Sequence, residues 1–416
     1  MNLEDITINC GWNEALDGPS SFPAGVNISA TAQGSCAAAA AVCVSSKNGA
    51  SEINVVGSLA LAVHVGGETQ HVAAFATEAA AAVAGIAQHS YNYASSSSVT
   101  IVDAKVTMLA SALRGGSIAA TARDSHDAAI AGLAQTSNTH HSTVSTTNSS
   151  VVLTALAESG GSMLALAGDC AASIAAFAQR ANTAASPSVI ELNYTSFEAS
   201  ATANNGTLNA TVGSAIVIVA GLGQNSQGSA VSFSATYATI ALATLTNQSG
   251  NISVAATSHF AVAAAGVAQY SYSSSAAFNL QQSNFTASSA ASLSGTLSAT
   301  AQKDVVAVAG VAQYSYHTTV SVEITEESRF VVNASVSDSD SQIAAHAKWF
   351  ASCIAGVSQR SKLGTDIEVT ASSLFSAAAS ASDGGKMSAS AGDNAAAIAG
   401  VAQLSQNKDS TLVVQR

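Results

Sequence analysis

Residues 308–313 read VAGVAQ, and the same six letters return with little change as IAGVAQ at 398–403, IAGVSQ at 354–359 and IAGLAQ at 130–135. Taking the central small residue as an anchor gives Ala41, Gly85, Gly132, Ala176, Gly221, Gly266, Gly310, Gly356 and Gly400, spaced by 44, 47, 44, 45, 45, 44, 46 and 44 residues. Nine units of one length therefore fill the chain, and repetition at this period is the signature of a stacked array, since one unit cannot bury its apolar face alone. The residue before each anchor is Ala, and the one after it is large and apolar.

A second landmark lies 15 to 18 residues before each anchor, where a turn ends in Gly25, Gly67, Gly116, Gly161, Gly206, Gly250, Gly295 or Gly385. The eighth unit has Ser337, Asp338, Ser339 and Asp340 there instead. Gly-rich and Asp/Ser-rich turns both serve a sharp chain reversal. Turn and anchor divide each unit into two halves, IEVTASSLFSAAASASDGG from Ile367 and MSASAGDNAAAIAGVAQLSQ from Met387 in the last copy. Each half holds a short alternating strand, a corner and a longer strand. This predicts an all-β parallel β-helix, or β-solenoid, of about 18 coils, two to a repeat, running as one domain over residues 1–416. At roughly 4.8 Å per stacked strand such a rod measures on the order of 85 Å. A propeller-like array is the alternative, although nine blades exceeds the usual number and blades carry more aromatic filler. Ala-rich stretches such as residues 78–87 suit a helix by propensity, but the alternation, the Val/Ser/Thr content and the regular Gly and Asn punctuation favour strands.

Composition agrees with a thin solenoid. Hydrophobic residues are 48 % of the chain, but aromatics only 5 % and charged residues only 9 %. A core of Ala, Val and Ser fills a narrow coil where a two-layer domain needs bulkier side chains. The net charge of −12 is spread along the chain, which argues against nucleic-acid binding. No run is long and apolar enough for a membrane span, and residues 1–25 lack the apolar stretch of a signal peptide.

The residues after each anchor, Ile86, Leu133, Phe177, Leu222, Val267, Val311, Val357 and Val401, form an inward column. Two residues on stand Gln88, Gln135, Gln179, Gln224, Gln269, Gln313, Gln359 and Gln403, a structural ladder of corner amides. With two coils per repeat these amides lie close to 10 Å apart, so each is expected to bond the backbone of an intervening coil. The small residues flanking the anchor form either a tight corner or a flat strip that another surface can approach.

Candidate chemistry is sparse. Asp124, Asp169, Asp304 and Asp393 share one corner, where Asx turns explain them better than a calcium site or an acid–base pair. Asp338 and Asp340 start like a calcium loop without completing it, and His140 and His141 read as solvated loop residues. Tyr91, Tyr93, Tyr270, Tyr272, Tyr314 and Tyr316 follow the Gln column and suit either corner packing or an exposed ladder for sugars. Cys10, Cys36, Cys43, Cys170 and Cys353 show no zinc spacing and read as small buried residues, with a Cys10–Cys36 bridge the one pairing that the register brings close. Sequons begin at Asn27, Asn148, Asn193, Asn205, Asn209, Asn247, Asn251, Asn284 and Asn333, the acceptor pattern of a glycoprotein.

In general look the array resembles the parallel β-helix repeats of surface adhesins and fibre proteins, and no motif names a family. The expectation is a non-catalytic structural or adhesive scaffold outside the cell or on its surface. It needs no cofactor or metal and is not an enzyme. Its ends lack polar capping units, so it is expected to assemble with itself, end to end or laterally, or to bind surface glycans. The alternative is a binding module that recognises a glycan layer or ice through a flat Ala/Ser/Thr face.

Overall fold

The computed structural model describes residues 27–414 other than 33–36, 40, 47–50, 67–69, 77–80, 91–95, 123–127, 138–140, 169–170, 182–186, 214–215, 257–261, 302–304, 349–350, 371, 392–394 and 406–409. Among these residues every regular element is a strand. One coil is traced by residues 276–301 and 305–315. Its first wall is Ala276–Gln281, its second Asn284–Ser292, its third Thr296–Ala301 and its fourth Val306–Ser315. The next coil repeats the series as Thr319–Thr325, Arg329–Ser337, Gln342–Ala347 and Ser352–Ser361.

Each wall stacks on its counterpart in parallel, and the walls build sheets of 9, 13 and 15 strands. The largest sheet joins the first and second walls because Ser51–Val65 and Ser97–Leu113 run through both. Asn284 pairs with Arg329, Thr296 with Gln342 and Gly266 with Gly310. The molecule is thus a parallel β-solenoid, and neither a propeller nor a closed barrel.

The register corrects the coil count. Hydrogen-bonded partners lie one whole repeat apart, so a repeat makes one coil and the array has nine rungs, not 18 coils. The two half-repeats are opposite sides of one coil. At about 4.8 Å per rung the stack is on the order of 40 Å tall, half the length expected from the sequence. The reason lies in the side chains: only whole-repeat stacking sets Phe on Phe and Gln on Gln, whereas half-repeat stacking would set the Phe column against the Gly–Gln wall.

Alternation does the rest. Walls one to three bury every second residue, as in Thr296–Ala301, and present the others outward. Phe285 stacks on Phe330 with centroids 4.9 Å apart, and Phe330 on Phe375 at 5.1 Å. Phe233 stacks on Phe278 at 4.9 Å in the first wall. Each such pair adds about 0.5–1.5 kcal/mol beyond area burial.

The fourth wall departs from alternation, because all ten residues of Val306–Ser315 are buried. Its bend explains this. Ala84, Ala131 and Ala175 have φ of 49°, 47° and 48° yet belong to the main core, so this bend folds inward. At Gly221, Gly310, Gly356 and Gly400 the positive φ falls on the anchor glycine itself, 129° at Gly310 and 139° at Gly356. Residues outside the main core on both sides of the bend, Ala263, Ala268 and Tyr270 with Ala307, Ala312 and Tyr314, form a second buried cluster. Ala82 and Ala87 do the same lower in the stack. The small residues flanking the anchor therefore serve a tight re-entrant corner, and the flat accessible strip expected as the other possibility does not exist there.

Candidate functional site

The Gln column sits just past this bend with every amide from Gln88 to Gln359 buried. Gln135, Gln179, Gln269, Gln313, Gln359 and Gln403 each donate Nε2 to Oε1 of the Gln one rung before, at 2.8 to 3.1 Å. Direct amide-to-amide bonding replaces the expected bonding to an intervening coil, because no coil intervenes. The same Nε2 groups also reach the next wall, Gln269 to Ala277 O at 2.8 Å and Gln313 to Ser321 O at 2.8 Å. The run breaks once, between Gln179 and Gln224. There Ser188 Oγ donates to Gln179 Oε1 at 2.8 Å, and Gln224 Nε2 turns to Ser188 O and Ser232 O. Val44 pairs with Gln88 at the foot of the ladder.

A second column, which the sequence reading missed, turns the first wall into the second. Asp103, Asn148, Tyr194, Tyr237 and Gln282 occupy it with φ of 47° to 52°. Residue type varies there because only the backbone conformation is shared. The recurring mark is the hydroxyl that follows. Ser149 Oγ accepts from Ala104 N at 3.1 Å and donates to Thr147 O at 2.7 Å, and Ser283 Oγ accepts from Ala238 N at 3.0 Å and donates to Gln281 O at 2.8 Å. A hydroxyl at this spacing bridges an N–H that the bend pulls out of the strand ladder.

The described tyrosines divide into buried and exposed pairs. Tyr270 and Tyr314 are buried and stacked at 5.0 Å, and the Arg360 guanidinium lies 5.1 Å from the Tyr314 centroid. Tyr272 and Tyr316 are exposed and stacked at 5.2 Å, with Lys362 over Tyr316. Tyr194 and Tyr237 form another exposed stack at 4.8 Å.

Asp338 closes its turn as a hydrogen-bond hub. Its carboxylate accepts from Ser341 Oγ at 2.7 Å, from the backbone N–H groups of Ser294 and Asp340 at 3.3 and 3.1 Å, and from Leu293 N. The Ser341 hydroxyl foremost, with these backbone donors, outweighs the opposing effect of burial and holds the carboxyl below its ordinary value. Cys353 is buried and free, and loss of solvent pushes its thiol up to about 12.

The sequon asparagines Asn148, Asn193, Asn205, Asn209, Asn247, Asn251, Asn284 and Asn333 are half-buried or exposed. Asn27 opens the first described strand. Asp124, Asp169, Asp304, Asp393, His140, Tyr91, Tyr93, Cys10, Cys36 and Cys170 lie outside the described residues, as does the Cys10–Cys36 pairing; His141 is exposed. Among the described residues no group of three or more His, Cys, Asp or Glu side chains is placed to hold a metal ion, and no helix is long and apolar enough to cross a membrane.

No family model matches the chain, and no curated protein or solved structure matches it. The fold defines its class as a one-coil-per-repeat parallel β-solenoid.

Proposed function

We propose that the chain is a non-catalytic structural or adhesive scaffold of a surface or fibre, built to stack on further rungs of its own kind. The observation that carries this reading is the unbroken parallel stack: rung after rung repeats the same walls in register, so that each rung is a template for another of its kind. This holds whether the next rung comes from the same chain or from another molecule. Outward sequon asparagines support a glycosylated setting outside the cell.

Light scattering across a concentration series, with negative-stain imaging of the same samples, tests the reading. Mass that rises with concentration as rods lengthen supports it; constant monomer mass up to high concentration overturns it. The second reading, recognition of an ordered surface such as ice or a glycan layer, is supported by the outward face of the second wall. There Leu109, Thr154, Ser200, Ala243, Ser288 and Asn333 succeed one another in strict register at the strand spacing. Thermal hysteresis or glycan binding lost on Ser200→Lys would favour this reading, and its persistence in that variant would reject it.

A further inference from the structure

We infer that the corner between the first and second walls carries a saccharide site centred on Tyr194, for a disaccharide of all-equatorial pyranose units. Four neighbouring rungs form a shallow depression of about 480 Å³ there. One wall of it is the Tyr194 ring, which is 61 % exposed and backed on its other face by Tyr237, with an interplanar angle of 11°. The free face looks down the column toward Asn148. That amide does not cover it, because Asn148 Nδ2 turns the opposite way and donates to Asp103 Oδ1 at 2.7 Å. At the bottom of the column Gly57 has no side chain, and a Cβ there would meet nothing within 4 Å. The depression thus runs from a bare glycine to a bare aromatic face.

Its polar lining has the chemistry of hydroxyl recognition. Lys105, Ser150 and Ser196 stand in register on successive rungs, two residues beyond Asp103, Asn148 and Tyr194. Ammonium, carboxylate, amide and hydroxyl groups offer both donors and acceptors to sugar hydroxyls, and the two charges are opposite, which suits a neutral ligand. A pyranose with equatorial hydroxyls carries its C–H bonds on its faces, and such a face stacks on an aromatic ring. From Asp103 to Tyr194 two rung spacings cover roughly 10 Å, the length of two linked sugars. The inference goes beyond the scaffold reading and does not need assembly, since all the residues lie on one chain.

The test uses the full chain made in a host that does not glycosylate, because Asn148 and Asn193 are sequon positions at the site's edge. Cellobiose and N,N′-diacetylchitobiose are titrated at millimolar concentration, followed by saturation-transfer NMR and calorimetry. Saturable binding of at least one is expected, with affinity about tenfold lower in Tyr194→Asn, retained in Tyr194→Phe and unchanged in Tyr272→Ala. Asparagine is chosen because the same column already carries Asn148 at the same positive φ, so the corner keeps its backbone. Absence of saturable binding by both sugars, or equal affinity in Tyr194→Asn and the parent chain, overturns the inference. Light scattering on the same samples separates this result from the scaffold reading: a chain that stacks but binds neither sugar rejects the site alone.

Discussion

Replacing Gly310 by alanine tests the re-entrant bend directly. A Cβ on Gly310 would overlap the carbonyl oxygen of Gly356 and stand 2.9 Å from its carbonyl carbon and 3.1 Å from its nitrogen, in backbone that cannot swing aside like a side chain. The φ of 129° adds conformational strain for any residue with a Cβ. The protein itself shows the escape route. Ala176 stands in the anchor column, and there the positive φ of 48° has moved to Ala175. Gly310→Ala is therefore expected to shift the bend to Ala309, at a cost of about 1–2 kcal/mol for a left-handed alanine. Crowding against the next rung adds about 1–3 kcal/mol. The sum, about 2–5 kcal/mol, is read from urea unfolding midpoints at constant slope. Gly400→Ala is the control: its φ is also positive, at 111°, but its Cβ would meet nothing within 4 Å, so only the first term applies. Equal losses in the two variants, or no loss in Gly310→Ala, would refute the close-approach argument.

Gln313→Ala removes an amide bonded to Gln269 and Ser321, takes the Nε2 donor away from Gln269 Oε1 and leaves Gln359 Nε2 with Asp366 O alone; at about 1–3 kcal/mol per unsatisfied buried group it should cost more than Gln403→Ala on the top rung, as denaturation can show. Phe330→Ala, between Phe285 and Phe375, should lose about 3–5 kcal/mol by the same assay. Asp338 has a folded value below the ordinary 3.8, so its contribution is complete above 3.8 and is lost as pH falls through the folded value. The gap in melting temperature between the parent and Asp338→Asn should accordingly shrink on acidification, and a gap that widens contradicts the hub. Cys353, with its thiol at about 12, should resist a thiol reagent in the folded protein and react once urea unfolds it.

The strand class, the nine-fold repeat and the inward column were legible because each is written as residue type at fixed spacing. Val267, Val311 and Val357 keep their chemistry from rung to rung, and so do the glutamines two places on, Val44 of the first unit excepted. Coil size was not legible. Both half-repeats contain a strand, a corner and a strand, and twenty-odd residues make a plausible coil alone. The deciding fact is that the glutamines bond to each other, which requires adjacent rungs. The corner at Asp103, Asn148 and Tyr194 was hidden for another reason: a positive φ leaves no common residue type behind when Asp, Asn, Tyr and Gln all adopt it. The serine or threonine after it, as at Ser149, Thr195, Ser283 and Ser328, is the signal that was available. The buried outer face of the fourth wall was hidden as well, since alanine at Ala263 and Ala268 suits an open strip and a closed corner equally.

One coil per repeat is the claim on which the rest stands, and a pair of introduced cysteines tests it. Ser288 and Asn333 face outward in the second wall and are partners in register, one repeat apart. Adjacent parallel strands place their Cα atoms about 4.8 Å apart, within the range that a disulfide spans. In a chain whose native cysteines are replaced by alanine, Ser288→Cys with Asn333→Cys should oxidise to an intramolecular disulfide, mapped by mass spectrometry. The two-coil arrangement puts those positions near 10 Å apart, beyond that range. Failure of this pair to close under oxidation, while the doubly substituted chain keeps its unfolding midpoint, would contradict the one-coil register.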